Sequence, residues 1–233
     1  MFMTQHEADC NCIGCLAKHG PFSRLSQDEL EILQKNKYVV KYNPGEVIIK
    51  QGATMSHLIS LHSGLAKVYR EGLNGHKLIL QLIKEGEFIM GPGVYTDFKH
   101  HYSISAVAKS TACFVDINLF LKIMQNNHDF AKQIHKKENQ KKINVLNKMV
   151  NLTQKQMTGR IAEALLYLHD TIYETNPFRI QISRSDLADM TALCKESVIR
   201  ILKQFKEEKM ITLKGKKIEI LDMERVRYFS EVG

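Results

Sequence analysis

No apolar run in this 233-residue chain approaches the ~20 residues that a membrane-crossing helix requires. The N-terminus, MFMTQHEADCNC, also lacks the basic stretch followed by an apolar core that marks a secretory signal. Together these absences predict a protein that stays in the cytoplasm and has no membrane partner. Catalytic signatures are missing too. There is no phosphate-binding glycine loop, no G-x-S-x-G turn and no H-E-x-x-H pair, and the cysteines have no evident nucleophile–base partner, so no enzyme is expected. Acidic charge is in deficit: 25 Asp and Glu stand against 33 Lys and Arg, a net charge of +8. That balance argues for a polyanionic partner without choosing among DNA, RNA and a membrane surface. Five cysteines in a reducing compartment read as thiols or metal ligands rather than as a disulfide framework. The length exceeds that of a typical single domain and predicts two modest cores.

What is present is most legible between Ser183 and Leu221. Ser183 with Asp186 three residues on forms a capping box, which starts a short helix near Arg184 with Leu187 and Met190 on its apolar face. Thr191-Ala192-Leu193 interrupts it. A second run from Lys195 to Lys209 repeats Val198, Ile201, Leu202 and Phe205 at three- and four-residue steps, an inward stripe. The opposite face carries Lys195, Glu196, Ile199, Arg200 and Lys203, with Glu196 and Arg200 one turn apart. An arginine there can bind guanine O6 and N7, and a glutamate can accept from the cytosine N4 amine. Met210–Leu213 and Lys217–Leu221 then flank Lys214-Gly215-Lys216, a hairpin tip suited to a phosphate contact. The order helix, turn, helix, hairpin predicts a winged helix-turn-helix. The bland alternative is a solvated Glu–Arg pair on an ordinary surface helix.

This segment resembles the C-terminal domain of the CRP/FNR family of bacterial transcription regulators, and the resemblance covers nearly the whole chain. It implies an α+β protein: a cyclic-nucleotide-binding-like β-roll, a long dimerisation helix, and a C-terminal winged helix-turn-helix. It also implies a homodimer on a palindromic double-stranded DNA operator, with RNA polymerase as a further partner. By the same resemblance Glu196 and Arg200 read the G·C pair of a TGA core, and Lys195 adds a base or phosphate contact. At Ile199 the FNR branch commonly has Ser, which leaves the half-site outside that core open. The DNA-contacting set is then Arg184, Lys195, Glu196, Ile199, Arg200, Lys203, Lys214 and Lys216.

From about Phe22 to Asp116 short β-type runs alternate with glycine turns: Glu46–Lys50, Leu58–His62, Leu65–Arg70 and Leu78–Ile83. Their pattern, PGEVIIKQG…LHSGLAKVY…EGEF, resembles the family's β-roll. In that roll a Glu holds the ribose and an Arg the cyclic phosphate. Here Gly91 stands at the Glu position and Ser103 at the Arg position of this effector pocket, which argues against cAMP as the effector. Lys99, His100 and His101 fall on an expected loop.

Cys10, Cys12 and Cys15 are packed tightly in sequence, and soft thiolates so spaced can hold iron–sulfur or zinc. With Cys113 as a distant fourth they resemble the ligand set of an FNR-type [4Fe–4S] cluster. A thiol redox role, a haem held through His100 or His101, and no role at all remain open alternatives. Cys194 falls at the N-cap of the second helix, where the helix dipole and Lys195 are expected to lower its pKa.

Ile117 to Leu152 has neither glycine nor proline. A short helix through Met124 and a longer one from about Asp129 are expected, the latter with Phe130, Ile134, Ile143, Leu146 and Val150 as a partial stripe broken by His135–Lys142. The lysines make this a weak seam. Thr153 to Tyr173 would open the DNA-binding domain. The expected divisions are an N-terminal cysteine segment 1–21, a β-roll 22–118, a dimerisation helix 119–152 and a DNA-binding domain 153–233. The rival reading is a ligand-binding module that regulates a partner protein through its basic C-terminus.

Overall fold

The described chain, residues 20–233 of a computed structural model, begins helical rather than β. A 3-10 turn spans Gly20–Arg24 and helix α1 spans Gln27–Lys35, which corrects the expectation of strands from about Phe22. The cause is local. The Glu29 N–H donates to Ser26 Oγ at 3.2 Å while the Ser26 N–H donates to Glu29 Oε2 at 2.8 Å, a complete capping box, and Leu30 and Leu33 bury the inner face. The expected division 1–21, with Cys10, Cys12 and Cys15, lies outside the described residues apart from its last two positions.

Eight strands follow: β1 (Lys37–Tyr42), β2 (Val47–Ile49), β3 (His57–Ser63), β4 (Leu65–Glu71), β5 (Lys77–Lys84), β6 (Phe88–Ile89), β7 (Ser103–Ala106) and β8 (Ser110–Asp116). They form two four-stranded sheets ordered β1-β8-β3-β6 and β2-β7-β4-β5, the roll that the glycine spacing predicted. Gly64, at φ +93°, turns the chain between β3 and β4 where a side chain would strike the backbone of Lys109 and Ser110. In the first sheet β8 is central, so Cys113 faces Val39 on one side and Ser60 on the other.

Asp116 caps α2 (Ile117–Asn126), its Oδ1 accepting the Leu119 N–H at 2.9 Å. Helix α3 (His128–Gln154) is the long one. Its stripe is divided. Phe130 and Ile134 are fully buried in the core that also holds Phe22, Leu33, Phe88, Cys113 and Phe120. Ile143, Leu146, Met149 and Val150 are instead 48–60% exposed. Two lysines of α3 sit over the Phe88 ring, Lys137 Nζ 4.7 Å and Lys141 Nζ 4.8 Å from its centroid, while Phe22 meets the same ring edge-on at 5.3 Å. Lys141 Nζ also donates to the Phe88 carbonyl at 3.0 Å.

The chain resolves into two compact units, one of residues up to Val68 with Ile83–Ile143, the other of Tyr69–Leu82 with Asn144–Gly233. The second contains α4 (Met157–Tyr167), a π-helical turn (Leu168–Tyr173), β9 (Phe178–Arg179), α5 (Arg184–Thr191), α6 (Lys195–Glu207), β10 (Ile211–Lys214), β11 (Lys217–Ile220) and α7 (Met223–Val232). The run expected from Thr153 to Tyr173 is therefore broken after Gln154 and ends in a π turn. Its strands form a sheet ordered β10-β11-β9. Ile161, Leu165, Leu187, Val198, Phe205 and Val226 are fully buried. No helix among the described residues is long and apolar enough to cross a membrane.

Candidate nucleic-acid interface and sensor pocket

Both halves of the helix pair are set by their ends. Ser183 Oγ accepts the Asp186 N–H at 3.0 Å and the Ser183 N–H donates to Asp186 Oδ2 at 2.9 Å, so α5 starts at Arg184 as the capping box requires. It stops at Ala192, whose φ of +52° turns the chain into Cys194, the N-cap of α6. The inner face of α6, Val198, Ile201, Leu202 and Phe205, is at most 1% exposed. With that face fixed, Lys195, Glu196, Ile199, Arg200 and Lys203 stand exposed on the other, and Arg184 is half-buried at the first turn of α5. Burial draws the Arg184 pKa below the usual guanidinium value. No ion pair joins Glu196 to Arg200, or holds either of them, among the described residues. Lys203 pairs with Glu207 at 3.5 Å, both well exposed, a contact of little energy.

Lys214 and Lys216 are exposed at the tip of the β10–β11 hairpin. Lys214 pairs with Lys217 in register, leaving Gly215 and Lys216 as a two-residue turn in which Gly215 takes φ +60°.

Cys194 makes no capping bond to the helix backbone; its sulfur lies 3.1 Å from the Ser197 hydroxyl. The thiol pKa is lowered first by that hydroxyl and next by the Ser197 N–H, with Glu196 opposing. The direction is the expected one, and its causes are the Ser197 groups in the first turn of α6, with no contribution from Lys195.

In the β-roll, Gly91 has φ +84°, and a Cβ built there would collide with the Tyr102 hydroxyl. An acidic side chain cannot occupy the ribose position without displacing that ring. Ser103 is fully buried on β7, and its Oγ accepts the Gln51 N–H at 3.0 Å. The residues present do not fit a cyclic nucleotide held by the usual Glu and Arg. Tyr102 is 8% exposed, and its hydroxyl has no partner among the described residues; burial and the nearby Glu138 raise its pKa. Residues 99–101 lie in the expected loop between β6 and β7, and they are anchored there. Lys99 bridges to Thr54, and His100 is 2% exposed with its N–H on the Ala53 carbonyl at 2.9 Å. Burial, then His101, lowers the His100 pKa. His101 faces Asp97 at 3.1 Å.

Two family models divide the chain between them: a cyclic nucleotide-binding domain over residues 39–127 and a Crp-like helix-turn-helix domain over 159–229. The chain belongs to the CRP/FNR family of DNA-binding transcription regulators. Among this family's members it is 26% identical over 197 residues to the cAMP-activated global transcriptional regulator CRP of Salmonella typhimurium, covering 82% of this chain and 93% of that protein. It is 24% identical over 222 residues to the electron transport regulator A of Shewanella oneidensis, covering 93% and 87%. The fold matches FixK2 of Bradyrhizobium japonicum at a TM-score of 0.78 and 17% identity, over 84% of this chain and 98% of that one.

Cys113 is 3% exposed and belongs to the same core as Phe22. Cys10, Cys12 and Cys15 lie outside the described residues. Among the described residues no three His, Cys, Asp or Glu side chains cluster as a metal site. Sequence reasoning missed Tyr102, whose position beside Ser103 in an alternating run was the available signal. It also missed Arg179 and Lys217, which become neighbours of the hairpin tip only through strand register.

Proposed function

We propose that this regulator binds, as a homodimer, an inverted repeat whose half-sites contain a TGA-type core, with α6 in the major groove. The carrying observation is the pair Glu196 and Arg200, exposed one turn apart on a helix whose other face is fully buried, with no ion pair to each other. Arg200 takes the guanine, Glu196 the cytosine amine and Ile199 a thymine methyl, while Arg184, Lys195, Lys203, Lys214 and Lys216 contact phosphates. The exposed α3 stripe of Ile143, Leu146, Met149 and Val150 supplies the dimer seam. RNA polymerase is the further protein partner. Half-sites lie about one helical turn apart. Selection of bound duplexes from a randomised pool tests this. Arg200→Ala should cost ~1–3 kcal/mol at the guanine and relax preference there. Equal losses on matched and scrambled duplexes refute the assignment.

The effector in this reading is not a cyclic nucleotide but the redox state of Cys10, Cys12, Cys15 and Cys113, as ligands of a [4Fe–4S] cluster. Support comes from Tyr102 at the nucleotide position and from the shared core of Cys113 and Phe22. When bound, such a cluster supplies an oxygen-labile link; the chain's own part is to tie the segment ahead of Phe22 to the core that seats Phe130 and Ile134 of α3. Protein prepared without oxygen should carry about four irons per chain and lose DNA affinity in air. Cys113→Ser should mimic air exposure. A colourless reconstituted protein, with a Cys113→Ser variant that dimerises and binds DNA like the parent, rejects the cluster.

A further inference from the structure

The β9-β11-β10 sheet carries an arrangement that its own stability disfavours. Arg179 on β9 lies directly opposite Lys217 on β11, and Lys217 lies directly opposite Lys214 on β10. Directly paired residues of antiparallel strands project from the same face, so three cations stand in a row, and like charges so placed repel. Lys216 extends the row at the turn. All four are exposed, and none is in an ion pair among the described residues. The acid that follows on the same face, Glu219, receives the Thr212 hydroxyl at 3.3 Å.

The row is held firmly. Asn176 takes both backbone groups of Ile220, donating to its carbonyl at 2.8 Å and accepting its N–H at 2.9 Å, and the Ile180 N–H donates to the Lys216 carbonyl at 2.8 Å. Phe178 and Ile218 bury the opposite face at 2% and 0% exposure. Between the cations, Pro177 and Phe178 opens a recess of about 400 Å3.

We propose that this end of the wing sheet is a phosphodiester-binding recess in which Arg179 and Lys217 join Lys214 and Lys216 to grip the DNA backbone beside the base pairs read by α6. The inference rests on the DNA-binding reading above and adds Arg179 and Lys217 to it. Three strands place the row over about 10 Å, whereas phosphates on one strand advance about 3.4 Å along the helix axis. The row is therefore long enough to reach more than one phosphate. Arginine adds a fork that suits a phosphodiester oxygen pair. A polyanion relieves the repulsion across the strands, so binding and sheet stability are coupled.

The test uses the full chain and its Arg179→Gln, Lys217→Gln and double variants. Affinity for a selected inverted-repeat duplex is followed against salt, once with extended flanks and once with flanks trimmed to the half-site ends. On the extended duplex the salt dependence of the double variant should be shallower by about 0.9 for each phosphate contact removed. Base preference should stay unchanged. Melting temperature at low salt should stay level or rise, because the substitutions relieve repulsion; a merely structural role would lower it. A double variant with parental salt slope and affinity on the extended duplex overturns the proposal. If inorganic phosphate raises the melting temperature of the parent but not of the double variant while DNA slopes coincide, the recess takes free anions and the proposal also fails. Failure of the underlying reading looks different: the parent itself would then bind matched and scrambled duplexes equally, and Arg200→Ala would change neither.

Discussion

Replacing Tyr102 with Phe removes one oxygen from a place where it is buried and unmatched. A hydroxyl taken from water without a compensating bond costs about 1–3 kcal/mol, and the phenyl ring left behind keeps nearly all of the packing. The ring continues to fill the space that a side chain at Gly91 would need. The expected result is a gain near 1 kcal/mol, opposite in sign to most core substitutions, which for a chain of this size raises the melting temperature by about 2–4 °C. Urea unfolding of the parent and Tyr102→Phe should show a higher midpoint with an unchanged slope. Burial and Glu138 hold the Tyr102 pKa above its ordinary value of 10.0, so the hydroxyl is protonated in both folded and unfolded chains below that pH. The gain should accordingly be flat with pH across the neutral range. As pH rises through 10 the unfolded phenol ionises while the folded one stays protonated, so the parent then weakens relative to the variant. A loss of about 1 kcal/mol or more on removing the oxygen would mean that the hydroxyl is satisfied in solution, and that the ring is not a dry filling of the nucleotide position.

Three further outcomes are expected. His100, a base whose pKa is lowered in the fold, favours the native state while neutral; stability should fall as pH drops through the ordinary His value towards the lowered one, and His100→Gln should abolish that part of the acid dependence in pH-resolved melting. Lys148 is drawn down to about 8, chiefly by burial and against the pull of Glu163, so it opposes folding wherever it is charged; Lys148→Leu should stabilise at pH 7, with the advantage shrinking as pH rises beyond 8 and vanishing above the ordinary lysine value of 10.5. Cys194 should be alkylated faster than Cys113 at neutral pH because Ser197 favours its thiolate and it is exposed, and Ser197→Ala should slow it; equal rates in parent and variant would remove Ser197 as the cause.

The helix pair was legible because its signals are local: a capping box at Ser183, apolar steps from Val198 to Phe205, and a glycine at the hairpin tip each act within four residues. The strands between Glu46 and Ile83 were read for the same reason. What escaped is non-local. Whether Phe130 and Ile134 share a surface with Leu146 depends on which part of α3 meets the core, and periodicity alone treats them as one stripe. Gly91 and Ser103 were recognised as substitutions, but that Tyr102 fills the space beside Gly91 follows from the path of the chain between β6 and β7. The charge row of Arg179, Lys217 and Lys214 exists through register; residues 38 positions apart in sequence become neighbours there. The opening helix has a local signal as well, Ser26 with Glu29, but the glycine punctuation that follows favours β from about Phe22 and masks it.

Phe88 turns out to be a shared bearing. Phe22, the first large side chain after the cysteine segment, makes a T-shaped contact with its ring, and two lysines of α3 rest over the ring while one of them also holds the Phe88 carbonyl. The chain's entrance and the long helix thus turn on the same aromatic pivot. The Gly20–Arg24 turn and α3 share one packing partner, and truncating the Phe88 ring would strip a contact from Phe22, Lys137 and Lys141 at once. Lys141 stands two residues ahead of Ile143, so the contact with Phe88 ends about half a turn before the exposed stripe begins.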